Sequence, residues 1–484
     1  MREKILELEK SSAVLWPDRL ERKETRDLVV KYTEDFIENI ETTQAYRNDP
    51  SKGARIKEFV PGSQELSMAE IIEQLGETMD GSGINPASGG HLGYIPGGGI
   101  YASSLADYWA AITNRYAGVF FANPGAVRVE NKLIRWMNGL VGYPEGAHGN
   151  LTSGGSMANL IGVVTAREAK SIGVDKVKKA GIYLTQQAHL SIAKSLIVAG
   201  LNEAAIRYIP LDEKSRMDTL SLKEQIAKDK DQGIVPFLIV ATAGTTDTGA
   251  IDPLDNLADI AESNNMWLHI DAAYGGFFIL VDQFKDKFKG IERSDSLVMD
   301  PHKGMFIPYG LGACLIRRGK NLQEAFTVQA SYLQDIASAT EEINPMDVSP
   351  EMTKHFRGLR LWVPLALYGI GPFKTCLEEK LLLARYFHKE IAKIQGFEVG
   401  PAPQLSVVNF RYVPQKGNAN EFNKRLVEEI HKDGRIFFSS TTINGNFMLR
   451  LAILSFRTHL RTIDLTLEIL KEKAALIRPL FQPV

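Results

Sequence analysis

From about residue 150 the chain settles into one pattern: a short apolar run, a stretch with helical spacing, then another apolar run. The runs lie at 182–184, 206–209, 237–241, 267–270, 297–299 and 313–316, and residues 222–227 and 254–262 are two of the helical stretches between them. Short runs that are mostly apolar, broken only by Arg207 and His269, suit strands covered above and below, not strands with one wet face. Strand and helix in alternation therefore predict an α/β fold around a mostly parallel sheet with helices on both faces. In such sheets ligands sit beyond the carboxyl ends of the strands. That places residues 242–246, 271–274 and 301–303 along one rim.

The flanking regions read differently. Leu28, Val29, Tyr32, Phe36, Ile37 and Ile40 recur at helical spacing and predict an amphipathic helix over 21–46. Pro50, Pro61 and Gly62 break the chain, and a Gly-rich loop over 81–99 suits tight or ligand-hugging backbone. Residues 321–356, with Pro345 and Pro350, predict a long loop free to move. A long helix over 356–394, a strand at 405–412, a helix at 421–431, a strand at 447–454 and a last helix make a smaller α+β domain. A length of 484 residues accommodates two or three domains.

Charge and cysteine usage exclude several classes. The 56 basic and 58 acidic residues leave a net charge of −2, with no surplus to attract nucleic acid or an anionic membrane. Met1-Arg2-Glu3-Lys4-Ile5-Leu6-Glu7 alternates charge with apolar side chains, unlike a secretory signal. The apolar stretches at 234–240 and 277–281 are too short to span a bilayer. Two cysteines, Cys314 and Cys376, build neither a disulfide framework nor a cysteine zinc site, and no His/Cys cluster has metal-ligand spacing. A reducing, cytoplasmic setting and no metal are expected.

Five groups on the predicted rim carry chemistry. Lys303, in Asp300-Pro301-His302-Lys303-Gly304, follows the strand-like Ser296-Leu297-Val298-Met299. A lone lysine in a turn is ordinarily a surface cation. At the end of a buried run, however, a solvated charge gains little, so Lys303 reads as a nucleophilic amine that desolvation favours in its neutral form. Asp271 ends Trp267-Leu268-His269-Ile270 and reads either as a helix cap or as an acceptor for a protonated ring nitrogen. The small Ala272-Ala273 after it leave room for a flat ring. Thr152-Ser153-Gly154-Gly155-Ser156-Met157-Ala158-Asn159 opens a helical stretch reaching about residue 170. It is either plain capping or an anion cradle to which Ser156 adds a hydroxyl. Being neither GxGxxG nor a P-loop, it gives a nicotinamide oxidoreductase no support. His189, in Gln186-Gln187-Ala188-His189, is either a satisfied polar residue or a ring that stacks on a ligand. His302 has the same bland reading, against donation to a phosphate or proton relay.

An amine, a ring-nitrogen partner, a phosphate cradle and a stacking ring are the fittings of a pyridoxal 5′-phosphate site. In this order and spacing they resemble the group II pyridoxal-phosphate-dependent decarboxylases, and within them most the aromatic-L-amino-acid decarboxylases. The resemblance runs from about residue 21 almost to the end. It is densest at 152–159, 187–189, 241–246, 269–274 and 300–303, and in Phe356-Arg357-Gly358-Leu359-Arg360-Leu361-Trp362. It implies a fold type I enzyme with a seven-stranded, mostly parallel sheet and a homodimer with active sites near the interface. The implied division is an N-terminal segment 1–84 wrapping the partner, a large cofactor domain 85–345 and a small α+β domain 346–484. By resemblance Lys303 is the Schiff-base lysine, Asp271 the pyridinium partner and His189 the stacking ring. Gly155, Ser156 and His302 hold the phosphate, while Thr245 and Ala273 line the ring. Tyr94, Pro96 and Arg450 fall on the substrate side, with Arg450 placed to receive the substrate carboxylate.

Three positions depart from the family pattern. Gly304 stands where a Trp normally follows the lysine. Tyr94-Ile95-Pro96 leads into Gly97-Gly98-Gly99 where a Thr is usual, and Glu341-Glu342-Ile343-Asn344-Pro345-Met346-Asp347 lacks the loop tyrosine assigned to protonating the α-carbon. The implied activity is α-decarboxylation of an L-amino acid, aromatic by family, to an amine and carbon dioxide. Competing readings are oxidative decarboxylation–deamination to an aldehyde, another lyase reaction of the same fold, and a cofactor-binding protein without turnover.

Overall fold

The computed structural model describes residues 1–62, 65–328 and 341–481. Helices α1 (Arg2–Ser12) and α2 (Arg19–Glu38) bury none of their residues against the chain. A capping box starts α2: the Asp18 carboxylate accepts from the Glu21 backbone, and the Glu21 carboxylate accepts from the Asp18 backbone. The helix stops at Glu38, short of the expected 46. There the Thr42 and Thr43 hydroxyls donate to the Asn39 carbonyl at 3.0 and 2.8 Å and turn the chain. β1 (Tyr46–Arg47) then pairs antiparallel with β2 (Gly83–Ile84), with α3 (Met68–Asp80) between them in sequence. α4 (Tyr101–Thr113) and α5 (Pro124–Leu140) lead into the main sheet.

Seven strands form that sheet: β3 (His148–Thr152), β4 (Ala180–Leu184), β5 (Ala205–Tyr208), β6 (Val235–Thr242), β7 (Trp267–Asp271), β8 (Ser296–Met299) and β9 (Gly312–Ile316). Their spatial order is β3-β9-β8-β7-β6-β4-β5. β9 runs antiparallel to both neighbours, and the other pairings are parallel. The helices α6 (Gly155–Ala169), α7 (Leu190–Val198), α8 (Thr219–Asp231) and α9 (Leu254–Ser263) make the crossovers. Successive strand residues enter opposite cores, as the pleat requires. Tyr183, Ile239, Ala241, Leu268, Ile270 and Leu297 lie on one side, and Ile182, Leu238, Val240, Trp267 and Val298 on the other. This two-sided burial is why the sequence shows mostly apolar runs.

β3 was not expected, since His148, Asn150 and Thr152 break any apolar run. All three are nevertheless buried, and Asn150 Nδ2 donates to the Pro345 carbonyl at 2.9 Å. The region read as one loop over 321–356 also differs. α10 (Pro301–Gly304) is a single turn, and α11 (Gly319–Phe326) follows it with Leu322 buried. Residues 329–340 lie outside the described residues. The stretch 341–348 is pinned: Phe120 N donates to Asn344 Oδ1 at 2.8 Å, Asn131 Nδ2 to the Ile343 carbonyl at 2.9 Å, and Met346 and Val348 are buried. The helix expected over 356–394 is two, α12 (Leu359–Tyr368) and α13 (Gly371–Ile391), parted where Gly369 adopts φ +64°.

The smaller sheet has four antiparallel strands, β10 (Phe397–Val399), β11 (Val407–Tyr412), β12 (Ser439–Ile443) and β13 (Asn446–Ala452), in order β10-β11-β13-β12. α14 (Ala419–Asp433) and α15 (Leu460–Ile477) cover it over a core that includes Phe387, Phe410, Phe422 and Leu449. Among the described residues no helix is long and apolar enough to cross a membrane.

A buried ion pair ties the return segment to the main sheet. Lys354 Nζ is 2.8 Å from Glu130 Oε2, with side-chain exposures of 0% and 2%, and donates to the Leu151 carbonyl of β3 at 3.3 Å. Lys354→Met would strand the Glu130 carboxylate in the interior, at about 3–5 kcal/mol. The expected outcome is a clear fall in thermal midpoint, most of it recovered in the Glu130→Leu/Lys354→Met double variant.

Candidate active site

The carboxyl ends of β3, β4, β6, β7 and β8 surround a cavity of about 270 Å³. Gly155, Ser156, His189, Asp271, Ala273, His302 and Lys303 all line it, so the structure gathers seven of the residues singled out from the sequence.

Lys303 arrives there because β8 ends at Met299 and the chain turns at once into α10. Asp300 is its N-cap residue and Pro301 occupies the first turn, where a missing N–H costs nothing. Lys303 Nζ lies 3.0 Å from Asp300 Oδ2. Burial by itself depresses the ammonium, but the charges of Asp300 and Asp271 and the hydrogen bond to Asp300 outweigh it and raise the pKa above its ordinary value. The neutral amine expected from desolvation is thus corrected: the two carboxylates hold Lys303 as a paired cation. The 94–99 loop lies directly on this turn. A Cβ at Gly97 would stand 2.5 Å from the His302 carbonyl and 3.0 Å from that of Lys303.

Asp271 accepts from the Ala273 N–H at 3.1 Å through Oδ1 and from Asn159 Nδ2 at 2.9 Å through Oδ2. His189 Nδ1 accepts from the Ser191 N–H at 3.2 Å and lies 2.8 Å from Ser191 Oγ. His302 donates from Nδ1 to the Leu311 carbonyl at 2.7 Å, which leaves Nε2 3.7 Å from Asp300 Oδ2. Burial lowers its pKa. At the start of α6, Gly154 sits at φ 155° and no side chain caps the helix. The first N–H groups of a helix have no intrahelical partner and meet the positive end of the dipole there. Gly155 keeps this end narrow, since a Cβ on it would come 2.8 Å from Asp300 Oδ2.

These groups fit pyridoxal 5′-phosphate by their chemistry. The glycine-lined start of α6, with the Ser156 hydroxyl, could take a dianionic phosphate. Asp271 offers a carboxylate to a ring nitrogen, and Lys303 offers the amine between them. Asp300 Oδ1, buried without a hydrogen-bond partner, marks a polar spot in the same wall. Among the described residues no group of three or more His, Cys, Asp or Glu could hold a metal ion.

Four sequence candidates are not on the wall. Thr245 turns its hydroxyl into its own loop, 2.7 Å from Thr248 Oγ1, and its neighbours Gly244 and Thr246 line the cavity instead. Tyr94 and Pro96 pack outside it, with Tyr94 and Ile95 both at positive φ. Arg450 is buried one layer back, donating through Nε to Ser439 Oγ and through Nη1 to the Thr246 carbonyl, each at 2.9 Å. Conversely, Thr242, Thr246, Gln187, Asn159, Ser191 and Asp300 line the wall without having been assigned a role. Asn159, Thr246 and Asp300 lay inside the motifs already singled out; Ser191 gave no sequence signal.

Residues 78–413 match the family described as the pyridoxal-dependent decarboxylase conserved domain. An aromatic-L-amino-acid decarboxylase of Bacillus atrophaeus is 35% identical over 372 residues, 76% of this chain and 77% of the relative. A phenylacetaldehyde synthase of Petunia hybrida is 25% identical over 97% of this chain and 96% of its own. The solved structure of Oryza sativa TDC with PLP and tryptamine superposes with a TM-score of 0.90 at 24% identity, covering 95% of this chain and 99% of that one, which shows the fold. A match over so much of the chain, on a fold type I scaffold, makes this protein a member of the pyridoxal-dependent decarboxylase family and a pyridoxal-phosphate-dependent amino-acid carboxy-lyase.

Proposed function

We propose that the enzyme decarboxylates an aromatic L-amino acid to its primary amine at the cavity around Lys303. The observation that carries this reading is the meeting, on one strand-edge cavity, of a lysine amine, the doubly held Asp271 carboxylate and the uncapped start of α6. The aromatic preference is supported by the activity named for the Bacillus relative.

When bound, pyridoxal phosphate supplies a sink for the electrons left on the α-carbon as carbon dioxide departs. Lys303 would hold the cofactor through Nζ, and Asp300, 3.0 Å away, is placed to take a proton from that amine and return it. Asp271 would face the ring nitrogen and favour its protonated form, and His189 would cover a ring face. Gly155 and Ser156 would hold the phosphate, His302 would join them through Nε2 once that nitrogen carries a hydrogen as well as Nδ1, and Ala273 would leave room for the ring. Thr245 and Arg450 serve the wall indirectly, by shaping the loop that carries Thr246. Tyr94 and Pro96 belong to the loop that crosses the Lys303 turn and bounds the substrate side.

The same reading makes the protein a cytoplasmic homodimer, divided into a wrapping segment 1–84, a cofactor domain 85–345 and a small domain 346–484. Unburied apolar surface on α2 and α4 supports a partner subunit: Leu28, Val29, Val30, Trp109 and Ile112 are 40–68% exposed. Aldehyde formation is the second reading. It draws on the synthase relative and on residues 341–347, which hold no tyrosine and are packed against α5 and β3.

Purified enzyme given amino-acid mixtures should release amine and carbon dioxide in equal amounts, from aromatic substrates first. Aldehyde, ammonia and peroxide, with oxygen consumed, would instead select the second reading. Lys303→Ala should abolish the visible absorbance of the bound cofactor and lower turnover on the order of 10³-fold or more. Gly97→Ala should weaken cofactor binding by about 1–3 kcal/mol, the usual cost of overpacking, read by titrating that absorbance.

A further inference from the structure

Behind the cavity wall a hydrogen-bond chain joins Trp267, Ser296, His269, Asn159 and Asp271, with a branch from Asn159 through Ser191 to His189. Trp267 Nε1 donates to Ser296 Oγ at 2.7 Å, and Ser296 Oγ lies 2.7 Å from His269 Nδ1. His269 Nε2 is 2.9 Å from Asn159 Oδ1. Asn159 Nδ2 donates to Asp271 Oδ2 at 2.9 Å and to Ser191 Oγ at 2.8 Å, and Ser191 Oγ is 2.8 Å from His189 Nδ1. Ser296, His269, Asn159 and Ser191 are each no more than 3% exposed, so no water is at hand to repair a wrong contact.

The proton positions follow from groups that can act in one way alone. The Ser191 backbone N–H only donates, so His189 Nδ1 is an acceptor and a neutral ring carries its proton on Nε2. The Ser191 hydroxyl must then donate to Nδ1 and accept from the Asn159 amide nitrogen. The second hydrogen of that nitrogen goes to the Asp271 carboxylate. Asn159 Oδ1 therefore faces His269, whose Nε2 must carry a hydrogen. Burial drives the His269 pKa well below its ordinary value, so its Nδ1 is bare and accepts from the Ser296 hydroxyl. That hydroxyl in turn accepts from the indole of Trp267, which can only donate. The Asp271 carboxylate, which can only accept, fixes the orientation of the Asn159 amide, since reversing it would set acceptor against acceptor, and the His269 tautomer follows from it.

We propose that Asn159 is a positioning residue for the cofactor site, whose amide, oriented by His269, aims the Asp271 carboxylate and sets the His189 ring with its proton on Nε2. The proposal rests on the reading in which Asp271 partners the ring nitrogen and His189 covers the ring. Asp271 has one oxygen held by the Ala273 N–H and the other by Asn159, so the carboxylate cannot rotate. The helix is shaped for this contact: a Cβ at Gly162 would lie 2.6 Å from His269 Cε1, so glycine there lets α6 press onto the imidazole.

Nitrogen NMR of ¹⁵N-histidine-labelled holoenzyme, with signals assigned through His189→Gln and His269→Gln, tests the proton positions directly. Both rings should show a protonated Nε2 and a bare Nδ1. Asn159→Leu should disturb the His189 pattern, shift the visible band of the cofactor and weaken its binding by about 5- to 150-fold, the effect of one lost buried hydrogen-bond partner. His269→Gln, which keeps a donor toward Asn159 Oδ1, should preserve band and affinity, while His269→Leu should move both as Asn159→Leu does. A His189 proton on Nδ1 would overturn the proposal, as would an unchanged band and His189 pattern in Asn159→Leu. Should Asn159→Leu fail to fold, the unsubstituted protein and the His269 pair still decide. A visible band that survives Lys303→Ala would overturn the site reading itself, a failure distinct from an intact Lys303-dependent band that ignores Asn159.

Discussion

A strand sends alternate side chains to opposite faces, and in β7 this places Leu268 and Ile270 in one core and Trp267, His269 and Asp271 together beneath α6. Three polar-tipped side chains on the face of a dry sheet would each incur a desolvation cost if left alone. They are tolerated because the neighbouring strand brings Ser296 level with His269 and the helix brings Asn159 down onto it. The position of α6 is thereby tied to the strand that carries Asp271. Since the start of the same helix lines the cavity, its distance from Asp271 is set by this buried polar contact as well as by apolar packing.

A second set of constraints comes from missing side chains. Cβ atoms at Gly155 and Gly312 would come within 2.8 and 2.6 Å of the two Asp300 oxygens, and one at Gly97 would meet the backbone of His302 and Lys303. Three separate segments thus close on the Asp300–Lys303 turn at contact distance. Bulk near the lysine is limited by the same crowding: a Cβ at Gly304 would reach 2.7 Å from the Phe277 side chain. The family's large aromatic residue after the lysine has no room in this packing, so Gly304 and Phe277 go together.

The main sheet was legible where burial was paid for by apolar side chains alone. β4 to β9 read as strands, and the ends of β6, β7 and β8 placed 242–246, Asp271 and Lys303 on one rim, where the structure also brings His189 and the start of α6. β3 was hidden because polar residues interrupt it, and the contact that Asn150 Nδ2 makes with the Pro345 carbonyl, far along the chain, is one that no local pattern encodes. The same cause made 341–348 look like a loop: its order comes from Asn131, Phe120 and β3, not from its own periodicity. Arg450 carried the charge of a ligand-binding residue, but it donates to Ser439, its partner across the β12–β13 ladder, and to the Thr246 carbonyl of a loop, contacts that only the fold reveals. The charge state of Lys303 was misjudged for a related reason. Desolvation is readable from a buried run, whereas the approach of Asp300 and Asp271 together is a property of three dimensions.

That charge state bears on how the amine can react at all. A lysine held as a cation is no nucleophile, and expelling its proton to bulk water from this site would leave the Asp300 carboxylate buried without its partner, an expensive arrangement. Moving the proton along the 3.0 Å hydrogen bond to Asp300 avoids this, because an ion pair becomes a neutral pair and no isolated charge is created. Asp271 has no such path to that proton, because its carboxylate is bonded to the Ala273 N–H and Asn159 and not to Lys303. The two carboxylates thus divide the work by geometry. The one with a free oxygen and a lysine beside it is placed to exchange a proton, and the one clamped on both sides is held in a fixed orientation across the cavity.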